Sequence, residues 1–194
     1  NRTDINAQAE TGYNSSDTRR NITFGGLNST ATGSYGGWDF HAGTGASRLV
    51  NIDRATTIFP QARLDYFVVR NQGYDESGAG VLNLHVSSQT QAQLIPSVEV
   101  KANHKFTPAL SFALNAGLGY DILRDRNTVS ASFAGGGGVF VTQGLRPSPW
   151  VVRSGAGFAW QESHGLNLAV RYDRKDRGSQ YNDQAVSLKL SMPF

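Results

Sequence analysis

Residues 186–194 read VSLKLSMPF and residues 110–122 read LSFALNAGLGYDI. In the first stretch Val186, Leu188, Leu190, Met192 and Phe194 alternate with Ser187, Lys189, Ser191 and Pro193. In the second, Leu110, Phe112, Leu114, Ala116, Leu118, Tyr120 and Ile122 alternate with a set that includes Ser111, Asn115, Gly117, Gly119 and Asp121. Successive side chains of a strand point to opposite sides, so each stretch is a strand with one apolar and one polar face.

The same alternation recurs in six further segments. Ile5, Ala7, Ala9, Thr11 and Tyr13 oppose Asp4, Asn6, Gln8 and Glu10, and Trp38, Phe40, Ala42 and Thr44 oppose Asp39, His41 and Gly43. Ile58, Ala62, Leu64, Tyr66 and Val68 oppose Gln61, Arg63 and Asp65. Ala92, Leu94, Val98, Val100 and Ala102 oppose Gln93, Ser97, Glu99, Lys101 and Asn103. Trp150, Val152, Ala156, Phe158 and Trp160 oppose Arg153, Gly155 and Gly157, and Leu166, Leu168, Val170 and Tyr172 oppose Asn167, Ala169 and Arg171. The pattern predicts an all-β fold, an antiparallel transmembrane β-barrel of which about eight spanning strands are present.

Composition agrees. The 194 residues are 39% hydrophobic with net charge +3, and the mean hydropathy is -0.37. No run of eighteen apolar residues exists, which excludes transmembrane helices, whereas a barrel strand needs an apolar residue only at alternate positions. The weak positive charge, without Lys/Arg blocks, argues against nucleic acid as a partner. With no cysteine, disulfides and thiolate metal sites are excluded, and no metal or cofactor is expected. No signal peptide is visible at Asn1, so an exported chain of this kind is expected to be a mature piece or a fragment.

Connections are expected to alternate in length. Long ones span 14–37, 71–91, 123–149 and 173–182, and short ones 49–57, 104–109 and 161–165. Outer-membrane barrels pair short periplasmic turns with long outside loops, and counting back from a periplasmic Phe194 places every connection on the side its length demands. Trp150 to Trp160 spans about 33 Å of strand, which at a tilt of about 40° covers about 25 Å, the height of the apolar band. Trp38, Tyr66, Phe112, Tyr120, Trp150, Trp160 and Tyr172 are the expected interfacial aromatic girdle. A soluble β-sandwich also alternates, but needs neither the bracketing aromatics nor the alternating loop lengths.

The inward polar set comprises Arg63, Asp65, Glu99, Lys101, Asn115, Asp121, Arg153, Arg171 and Lys189. It is expected to line a water-filled lumen and to pair opposite charges across neighbouring strands. No nucleophile elbow or HExxH pattern is present, so catalysis is not expected. His104 and His164 are expected in periplasmic turns and His85 in an outside loop, too scattered to converge. Asp65 and Glu99, which could lie near each other, read as a salt-bridge lattice with Arg63 and Lys101. Gly135–Gly138 lacks the following lysine of a phosphate loop and reads as a flexible or hairpin-forming outside loop.

The order of motifs resembles the translocator (β-domain) of type V autotransporters. FPQARLDYFVVRNQGYDESGAGVLNLHV, residues 59–86, resembles that family's proline-bearing strand and an outside loop with Glu-x-Gly, here Pro60, Glu76 and Gly78. LIPSVEVKANHKF, NAGLGYD, SFAGGGGVFVTQG, SGAGFAW and LNLAVRYD follow in the family's order, and the terminal strand closes it. The family barrel has twelve strands and a luminal linker helix leading to a secreted passenger. The resemblance therefore implies that this single domain, residues 1–194, corresponds to the later strands, without the first four and the helix. It further implies insertion into a Gram-negative outer membrane, contact with lipid and lipopolysaccharide, and export of an N-terminal passenger. Recognition by the barrel-assembly (BAM) insertase would run through Val186, Leu188, Leu190, Met192 and Phe194, although Ala185 stands where the family signal has glycine. The alternatives are a small eight-stranded barrel acting as an adhesin or ligand-binding surface protein, and a membrane-embedded hydrolase.

Overall fold

The computed structural model describes residues 2–162, 165–178 and 181–192. Phe194 and His164, named above, lie outside the described residues. Among the described residues twelve strands are formed: β1 (Arg2–Phe24), β2 (Leu27–Asn51), β3 (Thr56–Asn71), β4 (Tyr74–Asp75), β5 (Leu84–Val86), β6 (Gln89–Lys105), β7 (Leu110–Tyr120), β8 (Thr128–Phe133), β9 (Phe140–Gln143), β10 (Trp150–Gln161), β11 (Asn167–Asp176) and β12 (Asn182–Ser191). Eight build one antiparallel sheet in the order β1-β2-β3-β6-β7-β10-β11-β12, curled into a half-barrel. β4, β5, β8 and β9 build a second sheet from the two long connections. β1 pairs only with β2, and β12 only with β11, so among the described residues the large sheet keeps two free edges.

The register keeps each face intact across the sheet. Arg63 stands opposite Ser97, Glu99 opposite Gly117, Gly117 opposite Arg153, and Arg153 opposite Lys175. The alternate residues form the apolar face, and it is the exposed one: Val98 is 60% and Val186 75% exposed, against 6% for Asp65 and 8% for Ser97. A water-soluble sheet packs the opposite way. Curling inward crowds the polar face, and glycines make room there: a Cβ at Gly155 would stand 2.5 Å from Asn115 Oδ1. Gly43 likewise leaves space for Asp65 and Arg63 from β3, and Gly117 for Glu99 from β6.

Short turns are capped by side chains. Asp53 Oδ1 accepts the amides of Ala55 and Thr56, both at 2.7 Å, and Thr107 Oγ1 accepts those of Ala109 and Leu110. The accepted amides also hold the Asp53 carboxyl below the usual range.

Several sequence expectations are corrected. Residues 14–37 are strand, because β1 and β2 continue as a hairpin closed by Gly25 and Gly26, both at positive φ, which suits a two-residue turn. The 71–91 and 123–149 connections carry the second sheet, with Gly136 and Gly137 turning the β8–β9 hairpin. β11 runs to Asp176 because its ladders continue that far, opposite Val152 of β10 and Asn182 of β12. His104 is not in a turn; it sits near the end of β6, with Nδ1 2.9 Å from Thr56 Oγ1.

The exposed apolar face is the lipid-facing one, so a charge there should cost far more than the same charge on the polar face. Leu118→Arg is expected to destabilise the barrel by about 2–4 kcal/mol near the bilayer midplane. Gln61→Arg, opposite Glu99 on the polar face, should change stability by less than about 1 kcal/mol. Folding titrations in lipid vesicles check the pair; equal losses would reverse the faces.

Candidate functional site: the polar face and its outer collar

Arg63, Asp65, Glu99, Lys101, Asn115, Arg153, Arg171 and Lys189 share one face, set there by strand parity and the register. Their Arg and Lys ion pairs run along strands instead of across them. Arg63 pairs with Asp65 at 3.0 Å, Lys101 with Glu99 at 3.7 Å, and Arg171 with Asp173 at 2.6 Å. Residues i and i+2 of a strand lie about 7 Å apart on one face, within reach of a long basic side chain. Neutral groups make the cross-strand bonds: Arg63 Nη1 donates to Asn6 Oδ1 at 2.9 Å, and Arg171 Nη2 to Asn115 Oδ1 at 3.0 Å.

His41, stacked on Phe67, places Nε2 3.0 Å from Asp65 Oδ1. Arg153 and Lys175 stand opposite each other and line a recess of about 210 Å3 with Glu99, Asn115, Arg171 and Asp173. Lys189 stands opposite Ala169.

Asp121 departs from the expected luminal group. It lies past the end of β7, is 2% exposed, and accepts from Arg177 Nη2 at 2.9 Å. Arg177, just beyond β11, covers it, so it ties the outer ends of β7 and β11 together. Asp65 and Glu99 do not form an acid/base pair. Asp65 faces Ile95 and Glu99 faces Gln61, which separates them by four residues of strand, about 13 Å. Among the described residues no group of three His, Asp or Glu side chains is placed to hold a metal ion.

On the apolar face Tyr120 meets Trp150 edge-on at 4.9 Å, and Phe112 meets Phe158 at 4.7 Å. These pairs, with Trp160, mark the two ends of β7 and β10. Trp38, Tyr66 and Tyr172 do not sit at strand ends, because β2, β3 and β11 extend beyond them. Val186, Leu188 and Leu190 are exposed on the same face of β12, and Met192 follows it.

Beyond the polar face the connections form a collar. Glu76 is 9% exposed and accepts from Arg20 Nε at 3.1 Å, Arg20 Nη2 at 2.5 Å and the Leu84 amide at 2.9 Å. Arg20 Nη2 also donates to the Leu82 carbonyl at 2.7 Å. Thr32 and Ser77 exchange backbone hydrogen bonds at 2.8 Å, and Tyr35 stacks on Tyr74 at 5.1 Å. Gly78, at φ +99°, lies so close to the Thr30 carbonyl that a Cβ would meet it at 2.5 Å. Arg20 and Arg177 were not singled out from sequence. Gly25–Gly26 was the missed signal, since a tight hairpin there puts Arg20 on the polar face.

The autotransporter β-domain family model matches residues 1–173. Among solved structures, the chain is similar to the translocator domain of autotransporter NalP from Neisseria meningitidis, with a TM-score of 0.62 and 17% identity. That alignment covers 97% of this chain and 60% of that one, so the chain spans about three-fifths of its relative's length. No curated protein matches.

The hydrogen bond from Arg20 holds the Glu76 carboxyl below its ordinary value, against the opposing effect of burial; the Leu84 amide adds to the lowering. A depressed folded value means the contribution is complete above the unfolded carboxylate range and is lost as pH falls through the folded value. Protection of residues 74–86 from protease should therefore hold from neutral pH through about pH 4.3 and fail only below it. Glu76→Gln should abolish that pH dependence and cost about 1 kcal/mol, part-exposure of Arg20 having trimmed the charged bond. Limited proteolysis across pH checks both.

Proposed function

The chain belongs to the autotransporter β-domain family, and on that premise we propose that it anchors and translocates a passenger segment to the cell surface. Its place is the bacterial outer membrane. The observation that carries the reading is the inversion of the sheet: large apolar side chains on the outer face, charges and amides on the crowded inner one. The outer face suits lipid and the acyl chains of lipopolysaccharide. The inner face, with its mixed charges and its glycines, suits a hydrated polypeptide in transit, and Arg63, Asp65, Glu99, Lys101, Asn115, Arg153, Arg171 and Lys189 are the luminal residues. Its role is transport, without a catalytic step.

The free edges of β1 and β12 require partners in the membrane, since unpaired backbone groups are costly in hydrocarbon. In the family's twelve-stranded wall, upstream strands supply them. During insertion the free edge and apolar face of β12 suit recognition by the barrel-assembly machinery. The small-barrel alternative called for β12 to pair with β1, and no such ladder exists among the described residues.

Topology offers a direct test in a cysteine-free chain. An impermeant thiol reagent on intact cells should label Val139→Cys and leave Arg54→Cys and Pro108→Cys unlabelled until the outer membrane is opened. Labelling of Pro108→Cys on intact cells would reverse the orientation. For transport itself, the full-length gene product with an epitope upstream of this domain should expose the epitope to protease added outside. An inserted barrel whose epitope stays inside would refute the proposal.

A further inference from the structure

β3 ends at Asn71, whereas β1 and β2 continue outward to the Gly25–Gly26 turn. Residues 15–36 therefore form a two-stranded hairpin without the third strand that supports it below. Such a hairpin is marginal alone in water. Beside it, Asn71 with Gln89 is the last pair of the β3–β6 ladder; above it the 72–88 segment meets the hairpin backbone only through the Gln72 amide on the Gly36 carbonyl and the two bonds exchanged by Thr32 and Ser77, among the described residues. Its β5 is joined to β8, which couples it to the β7–β10 connection.

One carboxylate adds a side-chain joint to those backbone bonds. Glu76 binds Arg20 of β1 and the amide of Leu84 at β5, and Arg20 reaches on to the Leu82 carbonyl. Close fits accompany it: the Tyr74 ring covers Gly33, where a Cβ would stand 2.7 Å from it, and Gly78 abuts Thr30. Arg20 and Gly33 belong to the same face as the polar wall below. A released 72–88 segment has that side, and the mouth beneath it, to fall across.

We propose that the Arg20–Glu76 pair is a latch that holds the collar upright as an extension of the wall and keeps the outer mouth clear for a chain leaving it. The proposal rests on the translocator reading above. Arg20 and Glu76 are positioning residues, acting through the collar.

The test uses the full-length gene product in cells, with three readouts: heat-modifiable barrel assembly, cleavage within residues 74–86 by added protease, and the pulse-chase rate of passenger arrival at the surface. Glu76→Gln and Arg20→Gln should leave assembly intact, open the segment to cleavage and slow arrival several-fold. A disulfide between Thr32→Cys and Ser77→Cys, whose backbones already exchange two hydrogen bonds, should restore the rate in Glu76→Gln and lose that rescue on reduction. A cleavable segment with wild-type arrival, or no gain in cleavage, overturns the latch while the translocator reading stands. A wild-type chain that displays no passenger overturns both. Should Glu76→Gln fail to assemble, the disulfide in the otherwise native chain decides: undiminished arrival supports an upright collar, and blocked arrival overturns it.

Discussion

In a bilayer core no water is available to a peptide group, so each backbone donor and acceptor must be satisfied by a neighbouring strand. The seven ladders of the large sheet follow from that constraint. A slip of one residue in any of them would carry a strand's apolar set into the lumen and its charges into lipid. The register is consequently specified at every pair by both solvents together. The close match of glycines to bulky polar neighbours, Gly155 to Asn115 and Gly117 to Glu99, depends on that same register.

Charge on the inner face is arranged to cancel locally. Arg63 with Asp65, Lys101 with Glu99 and Arg171 with Asp173 each neutralise within one strand. Part-exposed pairs of this kind add little to stability. Their effect lies in the surface they leave, where opposite signs alternate at close range among smaller apolar patches such as Ile95 and Phe67. In the recess beside them the cations Arg153 and Lys175 stand directly opposite each other, with Glu99 and Asp173 also in its lining.

Faces and membrane-spanning segments were legible in the sequence because lipid enforces a period of two over ten or so residues, as in Leu110–Tyr120 and Trp150–Gln161. The inner residues followed by parity alone. Their partners did not: period two says which side Arg63 is on, but the choice of Asp65 and Asn6 over a charge across the ladder depends on side-chain reach. Strand ends were the least legible. Trp38 and Tyr66 sit within strands that outrun the membrane, and polar residues such as Ser15 and Asp17 read as loop although they continue a ladder. Glu76 was noticed only through the resemblance, and nothing in its own neighbourhood pointed to Arg20, 56 residues away.

The change of solvent along one strand explains why the outer half looked unlike the inner. In the lower part of β1 the exposed apolar residues are Ile5 and Tyr13, at 81% and 73%, on the face turned to lipid. Higher up the same strand, Ile22 is 8% exposed and sits on the opposite face, with Ala31 of β2 fully buried beside it. An apolar face that switches sides without any slip in the ladder means that the apolar phase has moved from outside the wall to inside it. Below the switch, hydrocarbon surrounds the sheet. Above it, water does, and the collar must bury its own apolar core, which Ile22, Ala31, Val86 and Ala131 form. The boundary of the membrane on β1 therefore falls between Tyr13 and Ile22. Arg20 and Glu76 lie on the watery side of it, where a charged pair can be solvated at its rim and still close a buried joint.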